Sequence, residues 1–223
     1  LDITIYPLVK LWGFTSGEYR IPDNSEIQNC LENVGYENIN ISGNCISVPQ
    51  NCELDLGAVA KGYTSDRIAE IFRENGIESG IINLGGNVFI YGSECKVGIK
   101  NPFSDDVIGT VEVSDKAVIT SGSYERYFTG DDGKNYCHII NSETGYPVDN
   151  GLVSVTVTGK NGLYCDALST ALFVMGRENA VEYWKNNSQN FDMILIENNG
   201  KIYVTENISF ENKSDSEIIK IEQ

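Results

Sequence analysis

The segment Asp55–Gly62 combines small residues, a carboxylate and a lysine directly before a predicted helix. Small residues let the backbone approach a ligand closely, and the N–H groups of a helix N-terminus attract an anion. Lys61 could add a cation at the same place. The spacing matches neither a Walker loop nor a Rossmann glycine fingerprint. The segment therefore predicts an anion-binding turn, with an ordinary turn into a helix as the alternative explanation.

A carboxylate and a hydroxyl stand at the start of the most apolar predicted helix. Asp166 and Thr170 are four positions apart, which places both side chains along one face of that helix. Mg²⁺ prefers a few hard oxygens from a protein and takes its other ligands from phosphate and water. The pair therefore suits a magnesium site. The alternative is that Asp166 caps the helix and Thr170 packs in the core.

His138 is the one histidine of the chain. It lies between a hydroxyl-rich glycine turn, residues 120–127, and a Thr-Gly-Tyr-Pro turn, residues 144–147. Imidazole titrates near neutral pH, so a histidine in this setting can move protons, although an isolated histidine is commonly structural. The residues alone leave both interpretations open. For the glycine pair within Asn83–Asn87, a tight hairpin turn is favoured over contact with a ligand.

The charge balance limits the possible partners. With 16 basic and 32 acidic residues the net charge is −16, so the chain has little means to neutralise a nucleic-acid backbone or to bind an anionic membrane surface. A diphosphate ligand on such a protein needs local compensation, which a divalent cation and backbone N–H groups can supply. The single histidine excludes a metal site built from several histidines, and the six cysteines form no Cys-x-x-Cys pair.

Hydrophobic periodicity and turn residues predict a mixture of helices and hairpins. The predicted helices span residues 24–35, capped by Asn24 or Ser25; about 65–76, capped by Thr64 or Ser65; 165–175, ended by Gly176; and about 177–187. The predicted hairpins cover residues 39–49, 81–91 and 193–204, and alternating Val153, Val155 and Val157 indicate a half-buried strand. Residues 210–223 are expected to form a polar, loosely held tail. The pattern predicts a single α+β domain over residues 1–223, with largely antiparallel sheets and packed helices.

Six segments, in order along the chain, resemble the ApbE family, the FAD:protein FMN transferases. The segments are DIT at 2–4 with the following PLV and LWGF, DLGAVAKGY at 55–63, INLGGN at 82–87, TSGSYERYF at 120–128, HIINSETGYPV at 138–148 and CDALSTALFVMG at 165–176. Six matches in family order are far more specific than any one of them. The resemblance implies an ApbE-like, T-fold-like domain.

The resemblance also implies roles for individual residues. These are FAD contacts (Asp55, Lys61 and the backbone around Ile139), Mg²⁺ ligands (the Ala58 carbonyl, the Asp166 carboxylate and the Thr170 hydroxyl) and the family histidine linked to transfer (His138). A cation and a helix N-terminus beside a diphosphate agree with the local charge compensation that the net charge of the chain requires.

The activity implied by the resemblance is a Mg²⁺-dependent transfer of the FMN half of FAD to a Ser or Thr hydroxyl of an acceptor protein, with release of AMP. The family's acceptors are typically subunits of Rnf- or Nqr-type electron-transport complexes that carry a Ser/Thr-containing flavinylation motif. Two alternatives stay open. One is a metal-dependent FAD pyrophosphatase that gives FMN and AMP, and the other is a non-catalytic FAD-binding protein.

The family pattern includes an N-terminal stretch before the DIT segment. It contributes part of the flavin pocket and, in full-length proteins, a lipoprotein signal. We therefore expect residues 1–223 to be the FAD-binding transferase domain without that stretch, and the full-length protein to be extracytoplasmic and anchored to the membrane as a lipoprotein.

Overall fold

The computed structural model describes residues 1–223, and the contacts within it divide the chain into two compact units. The small unit comprises Leu1–Leu56 and Glu125–Asp149, and the large unit comprises Gly57–Tyr124 and Asn150–Gln223. Antiparallel pairing predominates and helices pack on the sheets, so the predicted α+β class is confirmed. That residues 1–223 form one domain stays a prediction. None of the helices has the length and apolar composition needed to cross a membrane.

Four α-helices and twelve strands make up the fold. The helices are α1 (Tyr6–Leu11), α2 (Asn24–Leu31), α3 (Ala60–Glu74) and α4 (Gly162–Asn187). The strands are β1 (Asn40–Ser42), β2 (Cys45–Ser47), β3 (Gly80–Leu84), β4 (Asn87–Lys100), β5 (Val107–Gly122), β6 (Tyr127–Thr129), β7 (Asn135–Cys137), β8 (Leu152–Gly159), β9 (Phe191–Glu197), β10 (Ile202–Thr205), β11 (Phe210–Asn212) and β12 (Ile218–Ile221).

The small unit is organised around Trp12, whose side chain is fully buried. The indole N–H donates a hydrogen bond of 2.9 Å to the carbonyl oxygen of Gly145, which satisfies the polar atom of an otherwise apolar ring. Tyr136 packs on the same ring, with the centroids 5.3 Å apart. Leu8 and Ile27 pack into the same cluster. The paired strands β6 and β7, which lead into His138, are therefore held against a single aromatic core.

The large unit contains an eight-stranded sheet with the order β12-β10-β9-β8-β5-β4-β3, and β11 pairs with β5 outside this path. Helices α3 and α4 pack on the sheet. Strand β8 lies between β5 and β9, and its residues are buried at almost every position. The prediction of a half-buried strand from alternating valines is therefore wrong. Its threonines point into the protein and not toward water, as the burial of Thr156 and Thr158 shows.

Several predicted boundaries differ from the structure. Helix α2 is capped by Asp23, which forms a capping box with Glu26, and the helix ends at Leu31. Helix α3 begins at Ala60, four residues before the predicted cap at Thr64, because its first turn is stabilised by contacts from α4 and not by a side chain of its own. Helix α4 breaks at Gly176, where φ is 76°, so the predicted division at this glycine is confirmed.

The segment from Phe210 onward is not a loosely held tail. Strand β11 pairs antiparallel with β5, and β12 pairs parallel with β10. Ile221, close to the end of the described chain, is 6% exposed. Its polar composition suggested a solvated segment, but backbone pairing with two existing strands outweighs composition here. The predicted hairpins β1–β2, β3–β4 and β9–β10 are confirmed.

Candidate functional site

The first turns of α3 and α4 touch backbone to backbone in the large unit. A Cβ atom on Gly62 would lie 2.2 Å from the carbonyl oxygen of Gly162 and 2.7 Å from the Cβ of Asp166. A Cβ on Gly162 would in turn lie 2.5 Å from the Oγ of Ser65. No other residue type fits at either glycine without moving a helix. The two glycines therefore fix how closely the segment before α3 approaches the start of α4.

Each of these two helices supplies a carboxylate to the N-terminus of the other. Asp66 of α3 accepts hydrogen bonds from the backbone N–H groups of Gly162, at 2.7 Å, and Leu163, at 2.9 Å. Asp166 of α4 accepts one from the N–H of Gly62, at 2.8 Å, through its Oδ2 atom. Helix N-termini carry unsatisfied N–H groups and a partial positive charge, so both contacts are favourable. The position of Asp166 is consequently set by α3 as well as by its own helix.

The alternative in which Asp166 caps its own helix is wrong. The cap of α4 is Asn161, whose side-chain oxygen accepts a 2.7 Å hydrogen bond from the N–H of Tyr164. Asp166 lies inside the helix, is 3% exposed, and forms no ion pair with a Lys, Arg or His side chain. A buried carboxylate without a cationic partner is costly. Asp166 therefore has the burial and charge of a group that a cation would stabilise.

Thr170 lies one turn after Asp166 and belongs to a cluster of hydroxyl groups. Its Oγ1 is 3.1 Å from the Oγ of Ser121 on β5, which is itself 2.8 Å from the Oγ of Ser169. The Ser169 hydroxyl donates to the carbonyl oxygen of Asp166 at 2.9 Å. The predicted pair is thus connected through two serines to which sequence reasoning gave no role. The signals in the sequence were the hydroxyl-rich stretch at 120–123 for Ser121 and the position between Asp166 and Thr170 for Ser169.

The oxygens available around Asp166 are of the kind that Mg²⁺ binds. Oδ1 of Asp166 takes no part in the hydrogen bond to Gly62, and Thr170 is half-buried with its hydroxyl on the same helical face. No group of three or more His, Cys, Asp or Glu side chains suited to a metal is present. The predicted set contains a single carboxylate, together with a carbonyl and a hydroxyl. A site of this composition fits an ion that keeps phosphate and water in its shell.

The remaining predicted residues of the segment 55–62 differ in their surroundings. Asp55 is half-buried in the small unit, where its backbone N–H donates to the carbonyl oxygen of Ile3 at 2.7 Å. In the large unit Ala58 is half-buried, and Lys61 is exposed in the first turn of α3. The Lys61 ammonium is 3.5 Å from the carbonyl oxygen of Gly57. Lys61 thus carries its charge beside a helix N-terminus, and anion binding by this turn stays a prediction.

His138 and Ile139 lie in the small unit, directly after β7. Both the backbone N–H and the ring Nδ1 of His138 are within 3.1 Å of the carbonyl oxygen of Arg126. A carbonyl oxygen only accepts hydrogen bonds, so this contact places the proton of the neutral ring on Nδ1 and leaves Nε2 with a lone pair. Ile139 is 5% exposed, and its carbonyl oxygen accepts the N–H of Val148. The ring is therefore oriented as a proton acceptor through Nε2.

Asp166 and His138 each directly follow a buried cysteine in the sequence. Burial raises the pKa of the Cys165 thiol to about 12, and the nearby negative charges of Asp66 and Asp166 add to the effect. Burial also raises the pKa of the Cys137 thiol, although backbone hydrogen bonds oppose this shift. The structure contains no disulfide. Both thiols are therefore protonated and unreactive at neutral pH.

A cavity of about 1000 Å³ opens in the large unit beside the start of α4. Its walls come from the end of β8, the first turns of α4 and the loop before β9, and they include Val59, Tyr164, Ala167 and Phe191. Val59 and Ala167 are direct neighbours in sequence of Ala58 and Asp166. None of the seven predicted site residues lines the cavity. It adjoins the predicted site without containing it.

Comparison with known proteins identifies the family. The model of the ApbE family matches residues 1–195. The chain belongs to the ApbE family. The match covers the segments that hold Gly62, His138, Asp166 and Thr170, so the contacts described above lie in the part of the chain that the family shares.

Individual members of the ApbE family are similar to this chain in sequence and structure. The FAD:protein FMN transferase of Klebsiella pneumoniae (strain 342) is 37% identical over 209 residues, covering 92% of this chain and 65% of the relative. That of Vibrio cholerae serotype O1 is 35% identical, covering 90% and 63%. The crystal structure of the ApbE protein from Thermotoga maritima superposes with a TM-score of 0.84 at 36% identity, covering 92% of this chain and 69% of that one. The flavin transferase ApbE of Vibrio cholerae superposes with a TM-score of 0.79 at 32% identity, with the same coverage. The chain thus spans just under two thirds of the length of these curated relatives.

Proposed function

We propose that this protein transfers the FMN half of FAD to a Ser or Thr hydroxyl of an acceptor protein in a Mg²⁺-dependent reaction that releases AMP. Relatives named FAD:protein FMN transferase support the reaction class. The observation that carries the proposal for this chain is the buried, unpaired carboxylate of Asp166 beside the Thr170 hydroxyl and the first turn of α3. A carboxylate so placed serves no ion pair within the protein and is set where a phosphate-bound cation would meet a helix N-terminus.

The metal would be held by three oxygens of the large unit. These are Oδ1 of Asp166, Oγ1 of Thr170 and the carbonyl oxygen of Ala58, and Oδ2 of Asp166 stays on the Gly62 N–H. When bound, Mg²⁺ polarises the phosphorus of the FMN phosphate and stabilises AMP as a leaving group. The hydrogen bond to Gly62 prevents the carboxylate from rotating, so the geometry of the site is set before the ion arrives.

For FAD, the family resemblance supports contacts from Asp55, from Lys61 and from the backbone around Ile139. The exposed ammonium of Lys61 and the positive end of the α3 dipole are suited to the diphosphate, and Asp55 is suited to polar atoms of the dinucleotide. On a chain of net charge −16, this local positive potential is needed for a diphosphate to bind at all.

The transfer step needs a proton acceptor for the attacking hydroxyl. The oxygen of the acceptor's Ser or Thr forms a new bond to the FMN phosphorus, and the bond from that phosphorus to the oxygen of AMP breaks, so that AMP leaves with the electron pair. The family resemblance supports His138 as the acceptor of the hydroxyl proton, and the contact of its Nδ1 with the carbonyl oxygen of Arg126 leaves Nε2 unprotonated for this role. With water in place of the acceptor, the same step yields FMN and AMP.

The acceptor and the location of the protein follow from the family resemblance alone. We propose an acceptor of the Rnf or Nqr type with a Ser/Thr-containing flavinylation motif, and a full-length protein that is extracytoplasmic and anchored as a lipoprotein. Fractionation of cells into membrane and soluble material, before and after mutation of a lipidated cysteine, tests the location. Recovery of the protein in the cytoplasm would contradict it.

The decisive experiment measures the mass of the acceptor. The protein is incubated with FAD, Mg²⁺ and an Rnf-type acceptor, and the same mixture is made with EDTA and with an acceptor whose motif Thr is replaced by Val. The proposal predicts an FMN adduct only in the complete mixture, together with one AMP per adduct. Free FMN and AMP without an adduct would identify a pyrophosphatase. Intact FAD bound to the protein would identify a non-catalytic binder.

A further inference from the structure

The hydroxyls of Thr170, Ser121 and Ser169 form one connected chain that ends at the backbone of α4. Thr170 Oγ1 is 3.1 Å from Ser121 Oγ, Ser121 Oγ is 2.8 Å from Ser169 Oγ, and Ser169 Oγ is 2.9 Å from the carbonyl oxygen of Asp166. Ser169 is fully buried, so no water competes for its hydroxyl. The chain begins at Thr170, one of the three predicted ligands of the metal, and ends at the backbone of Asp166, another of them.

The direction of every hydrogen bond in this chain is fixed by its last member. A carbonyl oxygen has no proton, so Ser169 must be the donor to Asp166. Each hydroxyl has a single proton, so Ser169 must then accept from Ser121, and Ser121 must accept from Thr170. Hydrogen bonds arranged head to tail also strengthen one another. The proton of Thr170 is therefore directed toward Ser121.

We propose that Ser121 is a positioning residue that turns the Thr170 hydroxyl so that its lone pairs face the cation. This inference rests on the proposed metal site at Asp166 and Thr170. A neutral hydroxyl binds Mg²⁺ through an oxygen lone pair, and its proton must then be accepted elsewhere. Without Ser121, the Thr170 hydroxyl rotates freely and is not held in the orientation that binds. Partners of this kind commonly change metal affinity by about 10–100-fold when removed.

The chain offers a matched control one residue away. Thr120 Oγ1 is 2.7 Å from Thr156 Oγ1, which is also a hydroxyl pair between two elements of the large unit. Successive side chains of a strand point to opposite faces of a sheet, so Thr120 of β5 faces away from α4 while Ser121 faces toward it. Loss of the Thr120 pair removes a similar interaction at a similar place and leaves the chain to Thr170 intact.

The experiment compares Ser121→Ala with Thr120→Val and with the unaltered protein. The dissociation constant of Mn²⁺, used as a paramagnetic substitute for Mg²⁺, is measured by electron paramagnetic resonance in the absence of FAD. The Mg²⁺ concentration for half-maximal AMP release and the melting temperature are measured in parallel. We expect Ser121→Ala to weaken Mn²⁺ binding by roughly 10–100-fold and to raise the Mg²⁺ requirement by the same factor. Thr120→Val should leave both values unchanged and lower only the melting temperature.

Combination with Thr170→Val distinguishes positioning from a general structural effect. If Ser121 acts through Thr170, Ser121→Ala should have no further effect on Mn²⁺ binding once the Thr170 hydroxyl is absent. Ser121→Thr, which retains a hydroxyl at this position, should restore binding. Ser169→Ala provides a second break in the chain and should weaken binding in the same direction, because Ser121 is then free to donate to Thr170.

Each outcome decides a different question. Equal Mn²⁺ dissociation constants for Ser121→Ala and the unaltered protein, or additive losses with Thr170→Val, overturn the role of Ser121 and leave the proposed function standing. Normal Mn²⁺ binding without any turnover of FAD overturns the proposed function and leaves the role of Ser121 standing. No Mn²⁺ binding by the unaltered protein overturns both.

Discussion

Asp166 in the large unit and His138 in the small unit are both proposed for the chemistry, yet they are held by different kinds of structure. Asp166 accepts a hydrogen bond from Gly62, which lies 104 residues away in sequence, and Asp166 is only 3% exposed. His138 is half-exposed and is bonded to Arg126, which is 12 residues away and belongs to the same local turn and hairpin. One group depends on the packing of two helices, and the other depends on a short stretch of chain.

The roles proposed for the two groups account for this difference. A carboxylate that binds a cation must stay fixed when it is alone, because the energy of binding falls steeply if the site has to be assembled first. Burial between two helix N-termini provides this rigidity. A proton acceptor must meet a partner that arrives from solvent, and it needs only the correct ring nitrogen to be unprotonated. A change at Asp166 should therefore alter stability and activity together, and a change at His138 should alter activity alone.

The largest effect is expected for Asp166→Ala. If Asp166 is the one charged ligand of the proposed metal site, its removal should reduce FAD turnover to the rate observed with EDTA, since Lewis-acid stabilisation is worth several kcal/mol, on the order of 10³-fold in rate. The N–H of Gly62 also loses its hydrogen-bond acceptor, and an unsatisfied buried N–H lowers the free energy of unfolding by about 1–3 kcal/mol. For a protein of this size, each kcal/mol lowers Tm by roughly 2–4 °C. Turnover with and without Mg²⁺ and a thermal melt test both parts.

The control for Asp166→Ala is Asp192→Asn, which alters another buried carboxylate of the large unit. Asp192 is 7% exposed and accepts hydrogen bonds from Thr205 and Asn207. It should lose stability and retain the full response to Mg²⁺. Retention of Mg²⁺-stimulated turnover by a folded Asp166→Ala protein would remove Asp166 from the metal site.

An effect on rate of similar size, but confined to the transfer step and without loss of stability, is expected for His138→Asn. If Nε2 accepts the proton of the acceptor hydroxyl, transfer should fall by roughly 10²–10⁴-fold, with FAD affinity, Mn²⁺ affinity and Tm unchanged. The rate of the unaltered protein should also decline toward acid pH as the imidazole gains a second proton, and the variant should lack this decline. Thr129→Val removes a hydroxyl contact to Asn135 in the same hairpin and should behave as the unaltered protein. Loss of Tm and FAD affinity with normal transfer per bound FAD would indicate a structural histidine.

Much of the site could be predicted because it depends on local patterns. The four-residue spacing of Asp166 and Thr170 determines that they share a helical face. That the glycines and lysine of residues 55–62 approach a ligand stays a prediction. The sequence contains no sign that Gly62 contacts Gly162. It also gives no sign that Asp66 and Asp166 each accept hydrogen bonds from N–H groups at the start of the other's helix. Contacts between residues about a hundred positions apart depend on tertiary packing, for which periodicity gives no information.

The fold likewise divides into features that local sequence predicts and features that tertiary packing decides. Hairpins with tight turns, such as Gly85-Gly86 between β3 and β4, were predicted because their conformation is local, with φ of 63° and 90° at the two glycines. Strand β8 was predicted with the wrong burial, since alternation of valine and threonine is typical of an edge or a one-sided sheet, whereas this strand is central. Strand β11 was missed because its pairing is decided by β5 and not by its own composition. Strand β12, with three isoleucines in four residues, was missed because it is short, lies within a polar segment and is ordered by pairing with β10.

A test of the helix contact itself uses Gly62→Ala. The added Cβ would lie 2.2 Å from the Gly162 carbonyl oxygen, and neither backbone can move without displacing a helix. Overpacking of this kind costs about 1–3 kcal/mol, of which up to about 1 kcal/mol is recovered through the higher helix propensity of alanine. The added Cβ would also displace Asp166, so Mn²⁺ binding should weaken.

The control is Gly98→Ala of β4. There the new Cβ meets only the side chain of Val107, at 3.3 Å, and Mn²⁺ binding should be normal. Equal Tm and Mn²⁺ affinity for Gly62→Ala and the unaltered protein would contradict the close approach.

The smallest perturbation compares the cysteines that precede the two polar groups, Cys165 before Asp166 and Cys137 before His138. Alkylation needs a thiolate that reagent can reach, and the pKa of both thiols is raised, to about 12 for Cys165. Since the native thiols are protonated below pH 9, each is modified mainly when its surroundings open. Cys137 lies in a three-residue strand paired only with β6, whereas Cys165 lies in α4 against the sheet, so Cys137 should be alkylated first and both should follow exposed Cys45 by a wide margin. Peptide mass spectrometry after timed iodoacetamide treatment at pH 8 gives the three rates in one sample. Modification of Cys165 as fast as that of Cys137 would show that the helix holding Asp166 opens as readily as the hairpin before His138, and the proposed contrast between a rigid metal ligand and a locally held proton acceptor would not hold.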